Sequence, residues 1–172
     1  PDGTRLYVAC ETGARIAVVD PATGAVSDSW AAPEQPSGLT LNAGGAQLVV
    51  TSSSQQSKVT VLSTANGQAI STMTTGYGAM APVLSPDGRT LYVCLRFNNA
   101  VAFLDPAAGK ELRRVAVPRE PVAMSGTPDG KFLVYNSNGL IFRIAAAGGE
   151  PQAIDTGSVK SCNNDHVLSA DG

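Results

Sequence analysis

The chain has 172 residues, of which 43% are hydrophobic, 15% charged and 5% aromatic, and its 12 basic and 14 acidic side chains give a net charge of −2. This balance excludes the strongly positive surface of a nucleic-acid-binding protein, and the apolar content excludes a disordered chain. No uninterrupted apolar run approaches the roughly 18 residues needed to cross a bilayer, so we expect no membrane-spanning helix.

A turn of the Asp-Gly type recurs along the chain at a nearly constant interval. Its glycines are Gly3, Gly45, Gly88, Gly130 and Gly172, and the intervals between them are 42, 43, 42 and 42 residues. The chain therefore divides into four repeats, at about 1–44, 45–87, 88–129 and 130–172, which we treat as one region. Periods of this length are typical of solenoids and propellers.

Each repeat contains the same short segments in the same order. An apolar segment follows the Asp-Gly turn, at residues 6–9, 48–50, 91–94 and 132–135. A second apolar segment lies at 16–19, 59–62, 101–104 and 140–144, before a tight turn that contains glycine. A more polar third segment follows, as at 110–115, and a short fourth segment ends the unit, as at 82–85 and 122–125.

These segments are too short for helices, are rich in Val, Leu and Tyr, and are bounded by Gly, Pro, Asn and Asp, which predicts β-strands. Their apolar runs are continuous, as expected of strands covered on both faces. Four antiparallel strands in about 42 residues are typical of a propeller blade. We therefore predict an all-β fold, a β-propeller of four-stranded antiparallel blades.

Two assemblies of these four blades remain open. A segment at 167–169 would complete the first sheet in a closed four-bladed ring. Alternatively, the blades form an arc of a larger propeller, which we favour because four typical blades pack too tightly around an axis. An arc would leave two apolar end blades open to self-association.

The repeats resemble two families of bacterial propeller. Residues 1 to about 130 resemble the YVTN repeats, through the stretches Pro-Asp-Gly-Thr-Arg-Leu-Tyr-Val at 1–8, Ala-Val-Val-Asp-Pro-Ala-Thr-Gly at 17–24 and Ser-Pro-Asp-Gly-Arg-Thr-Leu-Tyr-Val at 85–93. The last repeat, with the stretches 139–144, 148–151 and 163–172, looks more like TolB-type repeats. The resemblance implies a periplasmic or extracellular location, although this chain shows no signal peptide.

Several residue patterns that often carry chemistry are interpreted as structural here. The aspartates of the turns recur in separate blades and are expected to cap their own turns. The GxGxxG/A match at 76–81 is followed by Pro82 and a strand, whereas a dinucleotide site needs a helix. Cys10, Cys94 and Cys162 form no CxxC pair and are expected to be small buried residues. No CxxCH is present, and we predict no cofactor and no metal site.

The predicted binding surface consists of loops. In a propeller, the loops after the first apolar segment of each repeat and the loops between blades share one face, which we call the loop face. These loops are 11–14, 52–57, 96–99 and 136–138, and 33–37, 76–79, 119–121 and 157–164. Loops on a rigid scaffold often carry function. The candidate site residues are Arg96, Phe97, Asn98, Asn99, Arg119, Glu120, Asn163, Asn164, Asp165 and His166.

We expect a non-catalytic scaffold or binding module of the bacterial envelope that presents these loops to a protein, a glycan or a partner domain. Arg96, Phe97 and the two asparagines combine a planar cation, an aromatic ring and two amides, which suits a polar ligand or peptide. Two alternatives stay open. One is a propeller enzyme, such as a lactonase, lyase or quinoprotein dehydrogenase, with Asp165 and His166 at its centre. The other is a purely structural propeller fragment.

Overall fold

The computed structural model describes residues 2–162 and Ser169, and within them the chain is built from β-strands. In chain order they are β1 (Leu6–Cys10), β2 (Arg15–Val19), β3 (Val26–Ala31), β4 (Pro36–Leu41), β5 (Gln47–Ser52), β6 (Lys58–Ser63), β7 (Ala69–Thr74), β8 (Ala79–Leu84), β9 (Leu91–Leu95), β10 (Ala100–Asp105), β11 (Lys110–Ala116), β12 (Ala123–Gly126), β13 (Phe132–Ser137), β14 (Leu140–Ala145) and β15 (Gln152–Ala153). Among the described residues, the one helical element is a single 3₁₀ turn at Arg96–Asn98. None of their helices has the length and apolar character needed to span a bilayer.

The strands form four antiparallel sheets, each of which follows chain order. The first sheet is β1-β2-β3, the second β4-β5-β6-β7, the third β8-β9-β10-β11 and the fourth β12-β13-β14-β15. The predicted all-β architecture of propeller blades is confirmed. Each four-stranded sheet begins with the strand that precedes an Asp-Gly turn, so the repeat boundaries fall inside the sheets. The first sheet has three strands among the described residues, and the proposed partner segment 167–169 lies outside them except for Ser169.

The central strands of the second and third sheets are buried on both faces, as their continuous apolar sequences predict. Every residue of β9 is buried, and so are five of the six residues of β10. The outer strand β11 is different, since six of its seven residues are exposed, in keeping with its charged sequence. The sheets therefore stack face to face like blades, with their outer strands in water.

Alternate residues of the central strands in the second and third sheets pack against different neighbouring sheets. In β5, Leu48 and Val50 belong to the apolar cluster shared with the first sheet, whereas Val49 belongs to the cluster shared with the third. Tyr92 and Cys94 of β9 likewise contact the fourth sheet. This alternation follows from the two-residue period of a strand, and it makes each interface between neighbouring sheets a separate apolar layer.

The turn aspartates act on their own backbone, which confirms the structural interpretation for those described. The Oδ1 atoms of Asp2, Asp87 and Asp129 each accept the backbone N–H two residues later, at 3.1, 3.0 and 3.0 Å. A hydroxyl group of the turn also donates to each of them, and hydrogen bonds to a carboxylate favour its charged form. These bonds lower the pKa of all three groups, that of Asp129 to about 2. Asp171 lies outside the described residues.

The prediction of three buried cysteines is correct for only one of them. Cys94 is fully buried in the apolar layer between the third and fourth sheets, and burial raises the pKa of its thiol to about 12. Cys10 and Cys162 are half-buried, and all three thiols are free. Cys10 is more accessible because it lies on β1, at the end of the stack, and Cys162 because it lies in a loop.

Candidate functional site

Hydrogen bonds join the two sets of loops on the loop face. Thr75 N–H donates to the Ser57 carbonyl at 2.8 Å, and Val117 N–H donates to the Asn99 carbonyl at 2.9 Å. Each bond connects the loop after the second strand of a sheet to the chain as it leaves the fourth strand. The loop face is therefore tied to the sheets by backbone contacts that recur from one sheet to the next.

The segment Arg96–Asn98 forms the 3₁₀ turn between β9 and β10, and it places four predicted site residues together. Asn99 ends the turn in the left-handed conformation, with φ 51° and ψ 51°. Asparagine tolerates this conformation better than most residues with a side chain. The turn is also fixed to the preceding inter-blade loop, because Arg96 N–H donates to the Gly78 carbonyl at 3.0 Å.

The side-chain amide oxygens of Asn98 and Asn99 accept hydrogen bonds from backbone N–H groups and are not free to bind a ligand. Asn98 Oδ1 accepts the N–H of Tyr77 at 2.6 Å, and Asn99 Oδ1 accepts the N–H of Glu120 at 3.0 Å. Each bond fixes one inter-blade loop to the 3₁₀ turn. The geometry gives both residues a positioning role, and it holds Tyr77 and Glu120 beside the turn.

Glu120 bridges the two arginines of the site. Its Oε2 accepts Nε and Nη2 of Arg96 at 3.3 and 3.0 Å, and its Oε1 accepts Nε of Arg119 at 3.2 Å. The hydrogen bond from Arg96, followed by the one from Arg119, lowers the pKa of Glu120. Because the carboxylate stays charged and both guanidinium groups are cations, the cluster has a net charge of one positive unit.

Two exposed aromatic rings lie next to this cluster. The rings of Tyr77 and Phe97 have their centroids 4.5 Å apart, and the guanidinium carbon of Arg96 lies 5.0 Å from the centre of the Phe97 ring. Phe97 is 45% exposed and Tyr77 is 38% exposed. Gly78 allows this close packing, because a Cβ there would lie 2.7 Å from Phe97 Cδ2 and its φ is +73°.

An open cleft of about 400 Å³ lies between the 3₁₀ turn and the loops of the fourth sheet. We call it the Arg119 cleft. Its lining residues are Arg96, Arg119, Glu120, Val122, Asn136, Asn138, Gly139 and Cys162. Ser137 fixes its wall by donating its hydroxyl to the Arg119 carbonyl at 2.5 Å, and Asn136 does so by donating Nδ2 to the Cys162 carbonyl at 3.1 Å.

The structure thus brings together six of the ten predicted site residues, Arg96 to Asn99 with Arg119 and Glu120. The other four, Asn163, Asn164, Asp165 and His166, lie outside the described residues. Sequence reasoning placed Tyr77 and Asn138 in the right loops but did not select them. The available signal for Tyr77 was an aromatic residue within a loop of the predicted loop face.

One other prediction from the sequence can be compared with the structure. The second half of the glycine-rich stretch at 76–81 lies in strand β8 and not in a helix, in agreement with the rejection of a dinucleotide site there. Within residues 2–162 and Ser169, no group of three His, Cys, Asp or Glu side chains is arranged to hold a metal ion.

Comparisons with known proteins support the fold and leave the family open. No protein-family model matches the chain. An uncharacterized protein of Agrobacterium fabrum strain C58 is 49% identical over 51 residues, which cover 29% of this chain and 17% of that protein. Kuenenia stuttgartiensis hydrazine synthase superposes with a TM-score of 0.80 at 26% identity, over 90% of this chain and 47% of that one. The chain thus spans less than half the length of either.

The sheets, their stacking and this structural similarity define the class of the protein, which is a β-propeller module.

Proposed function

We propose that the chain is a non-catalytic propeller module of the bacterial cell envelope that binds a partner protein through its loop face. The first three repeats would belong to the YVTN type and the last to the TolB type, as their sequences suggest. That resemblance supports a periplasmic or extracellular location. The propeller supplies a rigid scaffold, and the differences between its loops would supply the specificity.

The exposed Tyr77–Phe97 pair beside Arg96 is the observation that carries this proposal. Aromatic residues and arginine are enriched among the residues that dominate the binding energy of protein interfaces. The pair is held by the hydrogen bonds of Asn98 and by the packing of Phe97 over Gly78, so little conformational entropy would be lost on binding. Exposed rings held in this way are suited to packing against a partner.

The same geometry favours a protein over a glycan. A sugar is recognised largely through hydrogen bonds to its hydroxyl groups, and these require free side-chain acceptors as well as donors. The amide oxygens of Asn98 and Asn99 already accept backbone N–H groups, and the Glu120 carboxylate already accepts both arginines. What remains exposed is mainly aromatic and cationic surface.

Site-specific photo-crosslinking in the cells that produce the protein tests this function. A photoreactive phenylalanine analogue replaces Tyr77 on the loop face, or Leu112 as a control. Leu112 is 51% exposed on the outer strand β11, away from the loop face. We expect a discrete protein adduct from position 77 and none from position 112. Adducts of the same mass from both positions, or no adduct from either, would contradict a loop-face interaction.

The captured partner is then identified, purified and titrated against variants of the chain. We expect Phe97→Ala to weaken binding at least about tenfold, as truncation of a central interface aromatic usually does. Leu112→Ala should leave the affinity unchanged. Fractionation of the same cells should place the protein in the periplasmic or extracellular fraction, and a purely cytosolic distribution would contradict the envelope assignment.

A further inference from the structure

The Arg119 cleft has an unbalanced positive charge. Two guanidinium groups and one carboxylate line it, and no other charged side chain does so among the described residues. The side chain of Arg119 is 74% exposed, whereas those of Arg96 and Glu120 are 40% and 32% exposed. The cleft therefore presents one cation to solvent that Glu120 does not neutralise.

Several hydrogen-bond donors of the residues that line the cleft remain free among the described residues. Arg96 uses Nε and Nη2, and Arg119 uses only Nε, on the Glu120 carboxylate. Nη1 of Arg96 and both Nη atoms of Arg119 thus have no hydrogen-bond partner among the described residues. The exposed amide of Asn138 at the rim of the cleft has none there either. Together they form a set of donors without an acceptor.

We propose that the Arg119 cleft binds a single carboxylate from an acidic segment of the partner protein, while an adjacent apolar side chain of that segment packs on the Tyr77–Phe97 pair. This inference rests on the proposed function and specifies the chemistry of the partner. Recognition of acidic motifs by clustered arginines is a recurring mode of peptide binding. Arg96 connects the two halves of the site, because it lines the cleft and contacts the Phe97 ring.

The net charge of the cluster is matched by a monoanion and exceeded by a phosphate. One carboxylate balances the single positive charge of the two arginines and Glu120. A phosphate group carries nearly two negative charges at neutral pH, and its additional charge would face the Glu120 carboxylate across the same guanidinium groups. Repulsion between such neighbouring anions opposes binding.

The probes for a test are two dipeptides that differ only in charge, N-acetyl-Asp-Phe-amide and N-acetyl-Asn-Phe-amide. Their binding to the ¹⁵N-labelled protein is followed by NMR, through the Arg119 Nε–H signal and the ring signals of Tyr77 and Phe97. We expect saturable shifts of all three signals with the aspartyl peptide. The asparaginyl peptide should bind at least about tenfold more weakly, because it loses a charge-assisted hydrogen bond.

Two arginine variants test whether Arg119 is responsible for the preference, and the sugar acid glucuronate tests the source of the carboxylate. Arg119→Gln should abolish the preference for the aspartyl peptide, whereas Arg89→Gln, which changes an arginine with an 87% exposed side chain on an Asp-Gly turn, should preserve it. Equal binding of the two dipeptides overturns the carboxylate site. Glucuronate binding as tightly as the aspartyl peptide overturns the peptide source in favour of an acidic sugar.

The two proposals can fail separately. If position 77 crosslinks to a partner but the dipeptides bind equally well, the carboxylate site is wrong and the binding function stands. If position 77 yields no adduct, the proposed function is wrong, whatever the dipeptides show.

Discussion

Leu6 and Leu91 occupy the same position in two repeats, three residues after the glycine of the Asp-Gly turn, and they differ in what covers them. Leu91 is 0% exposed in the apolar layer between the second and third sheets. Leu6 is 51% exposed, since no described residue packs over its side of the first sheet. Replacing each leucine by alanine therefore compares the stability that the same side chain contributes in a closed apolar layer and on an open sheet face.

The expected losses of stability differ severalfold. Leu91→Ala removes a fully buried side chain and leaves a cavity, which should lower the free energy of unfolding by about 3 to 5 kcal/mol. Leu6→Ala removes a side chain that is half in water and leaves no enclosed cavity. Half of the transfer energy of a leucine is about 1 kcal/mol, which sets the expected loss.

Urea unfolding measures both losses, with the fluorescence of Trp30 as the signal. Trp30 is the only tryptophan of the chain and is buried between the first and second sheets, so it reports on the part of the stack next to Leu6. The measurement is repeated at two protein concentrations. If Leu6→Ala destabilises as much as Leu91→Ala with an unchanged m-value, the face is covered in solution and the argument is wrong. A loss that grows with concentration would identify a second copy as the cover.

Three further predictions concern local chemistry. Gly67→Ala should destabilise the protein by at least about 1 kcal/mol more than Gly24→Ala, as urea unfolding would show; both glycines have φ near +70°, but a Cβ at Gly67 alone would overlap the ring of Trp30. Because the pKa of Asp129 is lowered to about 2, its ionisation stabilises the folded state above pH 4 and this contribution disappears as the pH falls toward 2; Asp129→Ala should flatten that part of the acid unfolding curve. Cys94, whose pKa is raised to about 12, should be the last cysteine alkylated by iodoacetamide at pH 8, and mass spectrometry would detect early modification if its burial were wrong.

The strands could be predicted almost to the residue because turn chemistry recurs in every repeat. The predicted strand at 110–115 is observed as Lys110–Ala116, and the one at 91–94 as Leu91–Leu95. The largest error at a strand start is in β8, which is predicted at 82–85 and begins at Ala79. An irregular register between Met80 and Val83, with Ala81 at φ 48°, lets the strand pair with β9 on both sides of the bulge. The local sequence does not predict this bulge, because Pro82 is more typical of the first residue of a strand.

The site could be predicted only as a set of loops. The repeat places the 3₁₀ turn next to the inter-blade loops, so Arg96 and Arg119 were selected together. The sequence could not show that Asn98 and Asn99 use their amide oxygens on backbone N–H groups, because that depends on distances across 21 residues of chain. It also could not show that Glu120 joins the two arginines, since the bridge to Arg96 spans 24 residues of chain. Long-range polar contacts of this kind follow from the assembled sheets.

The two ends of the blade stack are chemically different. In each of the first three sheets, an apolar residue faces the next sheet from the strand that precedes the outer strand. These residues are Val18 of β2, Val61 of β6 and Phe103 of β10. In the fourth sheet, Arg143 of β14 pairs with Val134 of β13 and so occupies the position equivalent to these three residues. Its guanidinium lies 5.2 Å from the centre of the Phe132 ring, and its Nε donates to Gln152 Oε1 at 3.1 Å.

This arginine bears on how the stack can be extended. A sheet packed over the fourth blade must supply an acceptor for the guanidinium or leave it at a wet edge, because a buried unpaired charge is strongly destabilising. The open face of the first sheet offers Leu6 and Val8, which supply neither charge nor acceptor. Closing the four blades into a ring, or joining two copies head to tail, would press those residues against Arg143. Any sheet packed there must therefore either carry a carboxylate or other acceptor opposite Arg143, or leave the guanidinium at the wet edge beside Gln152.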